Sequence, residues 1–316
     1  MLFRSGLGQA SCASCHVDGR TDRIGWDLGN PQGSVKQFDQ ACELPTGCIA
    51  WHPMKGPMVT QTLLGIIGTE PFHWRGEKVN LADFNVAYTA LQGRDSQITT
   101  AEMASLQSYV ASLTFGPNPN RNADNSLKTS LPIFGGVNTG LGGTGNPQSG
   151  QTIFNTSAIF GAPPGLTCLN CHSGVPGTNQ KVDIPAPPPP GSPPGTPAAE
   201  PQNRKNAPLR DTYRKLGANK GSLACNRGVG FDHGGDDFTL QDVLNVGFRF
   251  TTVQQRRDVE AFVLSFGTDT HAGAGQQVTV STGTDADGRV AQFITIATNQ
   301  STQVGLIAKG MRGGVQ

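Results

Sequence analysis

Two cysteines and a histidine recur at the same spacing at two places in this sequence. The pattern Cys-x-x-Cys-His stands at residues 12–16 and again at residues 168–172. In this pattern the two thiols bond to the vinyl groups of a c-type haem, and the adjacent histidine becomes the proximal ligand of the iron. With 7 cysteines and 6 histidines among 316 residues, only about 0.003 matches per chain are expected by chance. We therefore predict two covalently bound haem c groups, each with its iron, held by Cys12, Cys15, His16, Cys168, Cys171 and His172.

Two other kinds of site use cysteines at this spacing. A Cys-x-x-Cys pair can be a redox centre or half of a zinc site, and isolated cysteines can simply be core residues. A zinc site needs a second pair of ligands at a matching spacing, and neither motif has one nearby. The covalent haem is therefore the preferred interpretation.

A second ligand to each iron would decide what the haems can do. Ligation by two histidines gives a haem suited to electron transfer, methionine with histidine raises the reduction potential, and a missing ligand leaves the iron open to peroxide or oxygen. The candidates are His73 and then His52 for the first haem, with Met54 and Met58 as thioether alternatives, and His233 and then His271 for the second haem.

Two arginines follow the first motif closely. Arg20 and Arg23 lie within seven residues of His16 in the chain. A guanidinium group can pair with a carboxylate in two-pronged geometry, so these arginines are candidates to bind the haem propionates. The alternative is that both face solvent.

The composition predicts a mainly α fold with extensive loops. The chain has 42 glycines and 22 prolines, and only 15% of its residues are charged. Such a composition favours a loop-rich protein in which prosthetic groups supply much of the apolar core. Residues 184–201 are so rich in proline that we expect an exposed, partly polyproline loop. A glycine- and asparagine-rich connector is expected over residues 134–149.

Apolar spacing predicts the helices that surround the motifs. Residues 99–114 carry a threonine cap, an early glutamate and apolar residues at 3-4-3 spacing, and residues 252–266 carry an apolar face. Residues 151–160 are expected to lead into the second motif as residues 1–10 lead into the first. In the C-terminal part, residues 288–298 are predicted as a helix and residues 277–280 as a strand.

The two halves of the chain follow a similar order of features. Each has an opening segment, a haem motif, a long loop, an aromatic-histidine-glycine turn and an amphipathic helix. His16 and His73 are 57 residues apart, and His172 and His233 are 61 residues apart. We predict two cytochrome c-like haem domains in tandem, at residues 1–135 and 136–275, with a C-terminal extension over residues 276–316.

The remaining cysteines bear on the compartment. Cys42 and Cys48 bracket five residues and can close a disulfide, with reduced thiols as the alternative. Cys225 is left over, either buried or free to pair between chains. Because c-type haem is attached outside the cytoplasm, where disulfides persist, we expect a periplasmic or extracellular protein.

Neither charge nor hydropathy points to nucleic acid or to a membrane. The net charge is +1, and no stretch has the length of a transmembrane helix. The first residues lack the apolar region of a signal peptide, so we expect this to be a mature or truncated chain. The expected partners are a redox protein or a neighbouring haem protein, or further copies of the chain.

After its haem motif, the second half carries the runs Asn206–Asp211, Phe231–Gly235, Thr239–Val243 and Asp258–Val263. This order of features resembles the second domain of the bacterial di-haem cytochrome c peroxidases, a family with MauG-like and rubber-oxygenase relatives. The first half is similar through the run Phe72–Glu77, which resembles the family's Trp-Asp-Gly-Arg turn. That resemblance makes Trp74 a candidate for the residue between the haems, with ordinary core packing as the alternative. The resemblance covers about residues 1–270 and implies two cytochrome c-like helical domains in one chain.

This chain lacks residues that the resemblance would require for peroxidase activity. The family's glutamine and glutamate that cleave the peroxide bond are replaced by Phe84-Asn85 and Arg94, and Gln32 stands where a histidine is expected. Residues 243–250 contain no methionine to ligate the second iron. We therefore expect an electron-transferring di-haem cytochrome. The alternatives are a peroxidase or oxygenase with one open iron and a subunit of an extracellular cytochrome polymer.

Overall fold

Short helices joined by long loops make up most of the part of the chain that the structure describes. The computed structural model describes residues 10–35, 53–133, 142–159, 165–183, 204–210, 212–216, 231–235, 237, 239–245, 248–280, 284–285 and 287–310. Within these ranges the α-helices are α1 Cys12–Cys15, α2 Asn85–Ala90, α3 Thr100–Ser112, α4 Pro147–Thr156, α5 Cys168–Cys171, α6 Leu240–Asn245, α7 Val253–Val263 and α8 Arg289–Asn299. Single 3-10 turns lie at Val17–Gly19, Leu81–Phe84 and Thr212–Lys215.

The strands are very short and pair two by two, always antiparallel. β1 (Gly25–Trp26) pairs with β2 (Met58–Val59), and β3 (Leu131–Ile133) pairs with β4 (Gly143–Gly145). β5 (Val182–Asp183) pairs with β6 (Arg204–Lys205).

Helix α3 forms as its sequence predicts. The hydroxyl of Thr99 accepts a hydrogen bond from the Glu102 amide at 3.2 Å, and the Glu102 carboxylate accepts from the Thr99 amide at 2.8 Å. This capping box satisfies two amides that a helix start leaves unpaired. The face with Met103, Leu106 and Val110 is buried in the apolar cluster of the first half, so the predicted helix is confirmed.

The second half is built on a close crossing of α4 and α7. Helix α7 starts where predicted, with the Thr252 hydroxyl accepting from the Gln255 amide at 3.2 Å. A Cβ atom at Gly150 would lie only 1.8 Å from the Asp258 carbonyl oxygen, so only glycine allows this approach. The crossing brings the Phe154 ring of α4 within 5.1 Å, centroid to centroid, of Phe262 on α7.

Residues 118–133 pack on the second half rather than the first. The Asn118 amide donates to the carbonyl oxygens of Leu264 and Phe266 at 3.0 and 2.8 Å. Leu131 and Ile133 of β3 belong to the same buried cluster as α4 and α7. The boundary that the sequence suggested at residue 135 therefore follows a segment that already packs with the second half.

The C-terminal part differs from its prediction in one element. Helix α8 forms over Arg289–Asn299, which confirms the helix predicted at 288–298. Residues 277–280 form no strand, so that prediction is wrong. Within the expected connector over 134–149, β4 forms and α4 begins at Pro147. The β-branched residues 278–280 would form a strand only beside the edge of another strand.

Several predictions fall on residues outside those described. These concern the Cys42–Cys48 disulfide, Cys225, His52 and the proline-rich segment 184–201. In the part of the chain that the structure describes, no helix has both the length and the apolar character needed to cross a membrane.

Candidate haem-binding sites

The two Cys-x-x-Cys-His motifs adopt the same local structure. Each pair of cysteines bounds a single helical turn, α1 or α5. The His16 amide donates to the Cys12 carbonyl at 2.8 Å, and the His172 amide donates to the Cys168 carbonyl at 2.9 Å. Both cysteines and the histidine of each motif are therefore held on one compact turn.

A polar residue inside each motif caps its own turn. The Ser11 amide donates to the Ser14 hydroxyl at 3.0 Å, and the Thr167 amide donates to the Asn170 side-chain oxygen at 2.7 Å. Ser14 and Asn170, at the variable positions of the two motifs, therefore both accept a hydrogen bond from the amide at the start of the turn. A one-turn helix needs such acceptors because its first amides have no partner within the helix.

Both motif histidines use Nδ1 to contact backbone carbonyls. His16 Nδ1 lies 2.8 Å from the Gln61 oxygen, and His172 Nδ1 lies 3.0 Å from the oxygens of Gly177 and Ala207. An Nδ1–H that donates to a carbonyl leaves Nε2 with the lone pair that binds a metal. Burial lowers the pKa of both imidazoles, which favours this neutral form.

The four motif cysteines are free thiols in this structure. Burial raises the pKa of Cys15, and it raises the pKa of Cys168 to about 12. Two half-buried thiols on one turn, beside an imidazole whose Nε2 carries the lone pair, are the donor set of a haem c. The residues present at both motifs therefore fit the group that the sequence predicts.

A cavity of about 900 Å³ opens in front of His16. This volume lies in the upper part of the range of roughly 300–1,000 Å³ that small-molecule and cofactor pockets occupy. His73 and Trp74 lie in its wall together with His16, and Pro176, Arg210 and Tyr213 close it from the second half. The cavity is thus bounded by both halves of the chain.

The loop carrying His73 is held in a tight, well-defined shape. Phe72 and Lys78 form an antiparallel bridge at its base, with the Phe72 amide 2.6 Å from the Lys78 oxygen. His73 has φ +64°, a left-handed conformation that costs a residue with a side chain about 1–2 kcal/mol. Such conformations are retained most often where a side chain must point in a required direction.

The imidazole of His73 is fixed from two sides. Its Nδ1 lies 2.9 Å from Oε1 of Glu77, and its ring meets Phe84 edge-on at 4.8 Å between centroids. The ammonium group of Lys55 also contacts Oε1 of Glu77, at 2.8 Å. Burial alone would raise the pKa of Glu77, but the contacts with His73 and Lys55 hold it well below its usual range. Sequence reasoning missed Glu77 and Lys55, although Glu77 follows His73 by only four residues.

Trp74 connects the two halves. Its indole nitrogen donates to the Val59 oxygen at 2.6 Å, and its ring meets the His233 ring edge-on at 4.9 Å. Its own carbonyl accepts from the Lys205 amide at 2.7 Å, and the Lys215 ammonium lies 5.3 Å from the ring centroid. Its burial is consistent with core packing as well, so the inter-haem role stays a prediction.

The walls of the cavity carry more cations than the sequence suggested. Arg20 and Arg23 are exposed and line it, and their pairing with propionates stays a prediction. From the second half, Arg210 pairs with Asp269 at 2.7 Å, and the buried Lys205 donates to the Thr69 oxygen at 2.8 Å. Burial lowers the pKa of Lys205 to about 8.

The other candidate ligands lie elsewhere. His233 Nε2 is 3.2 Å from the Lys205 oxygen, and a nitrogen that donates there has no lone pair for iron. His271 contacts Gln300 through Nε2 and accepts from the Gly273 amide through Nδ1 at 3.0 Å, so both its ring nitrogens are engaged. Met58 Sδ lies 3.7 Å from a guanidinium nitrogen of Arg204, and Met54 is exposed.

The residues at the family's acid–base positions have structural contacts. The Asn85 side chain donates to the Ile98 oxygen and accepts from the Ile98 amide, both at 2.9 Å. Arg94 pairs with Glu102 at 3.6 Å, and Glu102 caps α3. Among the residues described, no cluster of three or more His, Cys, Asp or Glu side chains is arranged to hold a metal ion.

Comparison with known proteins gives one structural similarity. No family model matches the sequence, and no curated protein matches it. The structure is similar to a chain of hydrazine synthase from Kuenenia stuttgartiensis, solved under 20 bar of xenon, with a TM-score of 0.52. The similarity covers 84% of each chain at 18% sequence identity, so it concerns the fold alone.

Proposed function

We propose that this chain is an exported di-haem cytochrome c that transfers electrons through two covalently bound haems. The observation that carries the proposal is that the two motifs adopt the same local structure. Two separate segments place a cysteine pair on one helical turn and turn Nδ1 of the following histidine toward a carbonyl oxygen. Unrelated cysteines and histidines have no reason to share both features.

The binding residues follow from this arrangement. Cys12 and Cys15 would hold the first haem through thioether bonds, with His16 as its proximal ligand, and the second motif would act in the same way. A bound haem supplies a one-electron change of its iron. The residues of each motif would bind the haem and would orient it through the histidine whose Nδ1 the carbonyl contact fixes.

His73 is the proposed second ligand of the first haem. It lines the same cavity as His16, and its Nδ1 contact leaves Nε2 as the nitrogen with the lone pair. Two imidazole ligands suit a haem that only passes electrons, because little rearranges when the iron changes charge. Trp74, next in the chain and packed against the second half, is the proposed link between the haems.

Counting the haems tests the proposal directly. We expect the protein, produced in a host that attaches c-type haem, to gain the mass of two haems per chain. Replacing Cys12 and Cys15 with alanine should leave one haem, and so should replacing Cys168 and Cys171. The variant Cys225→Ser is the matched control, since Cys225 lies outside both motifs, and it should keep two haems. A wild-type chain that matures without covalent haem would refute the proposal.

An enzymatic alternative has one observation in its favour. The cavity of about 900 Å³ next to His16 lies in the size range of pockets that bind small molecules. Under this alternative the first iron is open and reacts with peroxide or oxygen. A high-spin ferric spectrum and turnover of hydrogen peroxide with a reduced donor would favour it, whereas two low-spin irons would favour the electron carrier.

A further inference from the structure

A buried carboxylate lies directly behind the proposed second ligand of the first haem. The side chain of Glu77 is 13% exposed, and its Oε1 is 2.9 Å from His73 Nδ1 and 2.8 Å from Lys55 Nζ. Its Oε2 lies 3.9 Å from the Arg75 guanidinium. A charged carboxylate is costly to bury unless cations or donors surround it, and here Lys55, His73 and Arg75 lie around it.

The backbone leaves little freedom in how Glu77 meets His73. The bridge between Phe72 and Lys78 closes the loop, and the Gly76 amide donates to the His73 oxygen at 3.1 Å. Gly76 has φ +69°, and a Cβ atom there would lie 2.7 Å from Val182. The imidazole and the carboxylate are thus brought together by a turn that adjacent parts of the fold hold in place.

The two histidines that face the cavity differ in the group that Nδ1 contacts. His16 Nδ1 contacts a neutral carbonyl oxygen, whereas His73 Nδ1 contacts a carboxylate. A carboxylate accepts the Nδ1 proton more strongly, which increases the basicity of Nε2 and orients the ring. An imidazole supported in this way is the stronger iron ligand of the two.

We propose that Glu77 is a positioning residue that fixes His73 in the Nδ1–H tautomer and strengthens its bond to the iron of the first haem. This inference rests on the proposed function, because it requires a haem at the first motif. Lys55 moderates the effect, since it shares the carboxylate oxygen that His73 contacts. A simple ion pair between a protonated His73 and Glu77 would instead leave no lone pair for the iron.

Competition by cyanide for the sixth position of the ferric iron tests the proposal. In the haem-loaded variant Glu77→Gln, a neutral amide replaces the carboxylate and the His73–iron bond weakens. Losing an outer partner of a metal-bound histidine typically costs about 10–100-fold in affinity, so we expect cyanide to bind one haem about 10–100-fold more tightly. The reduction potential of that haem should rise, while that of the other haem stays unchanged.

Glu102→Gln is the matched control. It makes the same chemical change in the same half of the chain, at a carboxylate that caps α3 and pairs with Arg94. We expect it to leave both reduction potentials and the cyanide affinity as in the wild type.

The outcomes separate this inference from the proposed function. A wild-type chain without two haems overturns both, whereas two haems with unchanged cyanide affinity and potentials in Glu77→Gln overturn this inference alone. If Glu77→Gln does not fold, the variant Lys55→Met tests the inference instead. It removes the ammonium group that shares the Glu77 oxygen with His73, so the carboxylate should accept the His73 proton more strongly. Weaker cyanide binding in Lys55→Met supports the role of Glu77, and unchanged or tighter binding overturns it.

Discussion

Glu260 is a carboxyl group inside the contact between α6 and α7. The residue is 1% exposed, and its Oε2 accepts a hydrogen bond from Nε2 of Gln241. Burial raises the pKa of Glu260 to about 8, with Asp242 adding to the rise and with Gln241 and Arg256 opposing it. We therefore expect this carboxyl to be protonated in the folded protein at neutral pH.

The raised pKa makes the stability of the protein depend on pH. The folded protein holds this proton more tightly than the unfolded chain, whose pKa is 4.5. The contribution of Glu260 to stability is therefore complete below pH 4.5 and is lost as the pH rises through about 8. At about 1.36 kcal/mol per pH unit, the loss is about 2 kcal/mol by pH 6 and about 4 kcal/mol by pH 8.

The variant Glu260→Gln isolates this effect, since glutamine has a similar shape and stays neutral. We expect its free energy of unfolding, measured by guanidinium denaturation, to rise relative to the wild type by about 3–4 kcal/mol between pH 5 and pH 8. Glu102→Gln is the control and should differ from the wild type by a constant amount between pH 5 and pH 8, because the lowered pKa of Glu102 keeps that carboxylate ionised throughout this range. A constant difference for Glu260→Gln would mean that Glu260 is ionised in the folded protein, and it would refute the reasoning.

Two further predictions concern packing and hydrogen bonding. Gly150→Ala should force α4 and α7 apart, since its Cβ would lie 1.8 Å from the Asp258 oxygen, and should lower the free energy of unfolding by at least about 1–3 kcal/mol. Trp74→Phe should remove the donor to the buried Val59 carbonyl and cost about 1–3 kcal/mol in urea denaturation.

Each of these variants has a control in the same chain. Ser149→Ala changes the exposed neighbour of Gly150 on α4 and should alter the free energy of unfolding by less than about 0.5 kcal/mol. Trp26→Phe removes a comparable indole hydrogen bond, to Asp22 at 2.8 Å, at an exposed position. Water can replace that donor, so we expect a much smaller cost than for Trp74→Phe. Equal costs for the two tryptophans would contradict the explanation by burial.

Local sequence patterns were sufficient for the long helices. Helix α3 depends on a capping box and an apolar face that lie within fourteen residues, and α7 depends on a threonine cap and a similar face. Both signals are contained in the segment itself, so they can be read without knowing the tertiary contacts. The strand predicted over 277–280 failed because a strand also needs a neighbouring edge, which alternation in one segment cannot reveal.

The role of the remaining histidines could not be read from the chain in the same way. His73, His233 and His271 look alike as isolated histidines in a sequence with few of them. In the structure, Nδ1 of His73 contacts a carboxylate and Nε2 of His233 contacts a carbonyl oxygen. Both ring nitrogens of His271 have partners. These contacts join residues up to 29 positions apart, and spacing alone does not predict which ring nitrogen is left for a metal.

The sequence by itself determined the two Cys-x-x-Cys-His motifs, because each consists of only five consecutive residues. It also determined the capped helices, whose signals are local. Only the tertiary structure decided that both motif histidines turn Nδ1 toward carbonyl oxygens, and that His16 and His73 share a cavity closed by the second half. It alone placed Glu77 and Lys55 behind His73. Such arrangements depend on loops from distant parts of the chain packing together, and no local pattern encodes that packing.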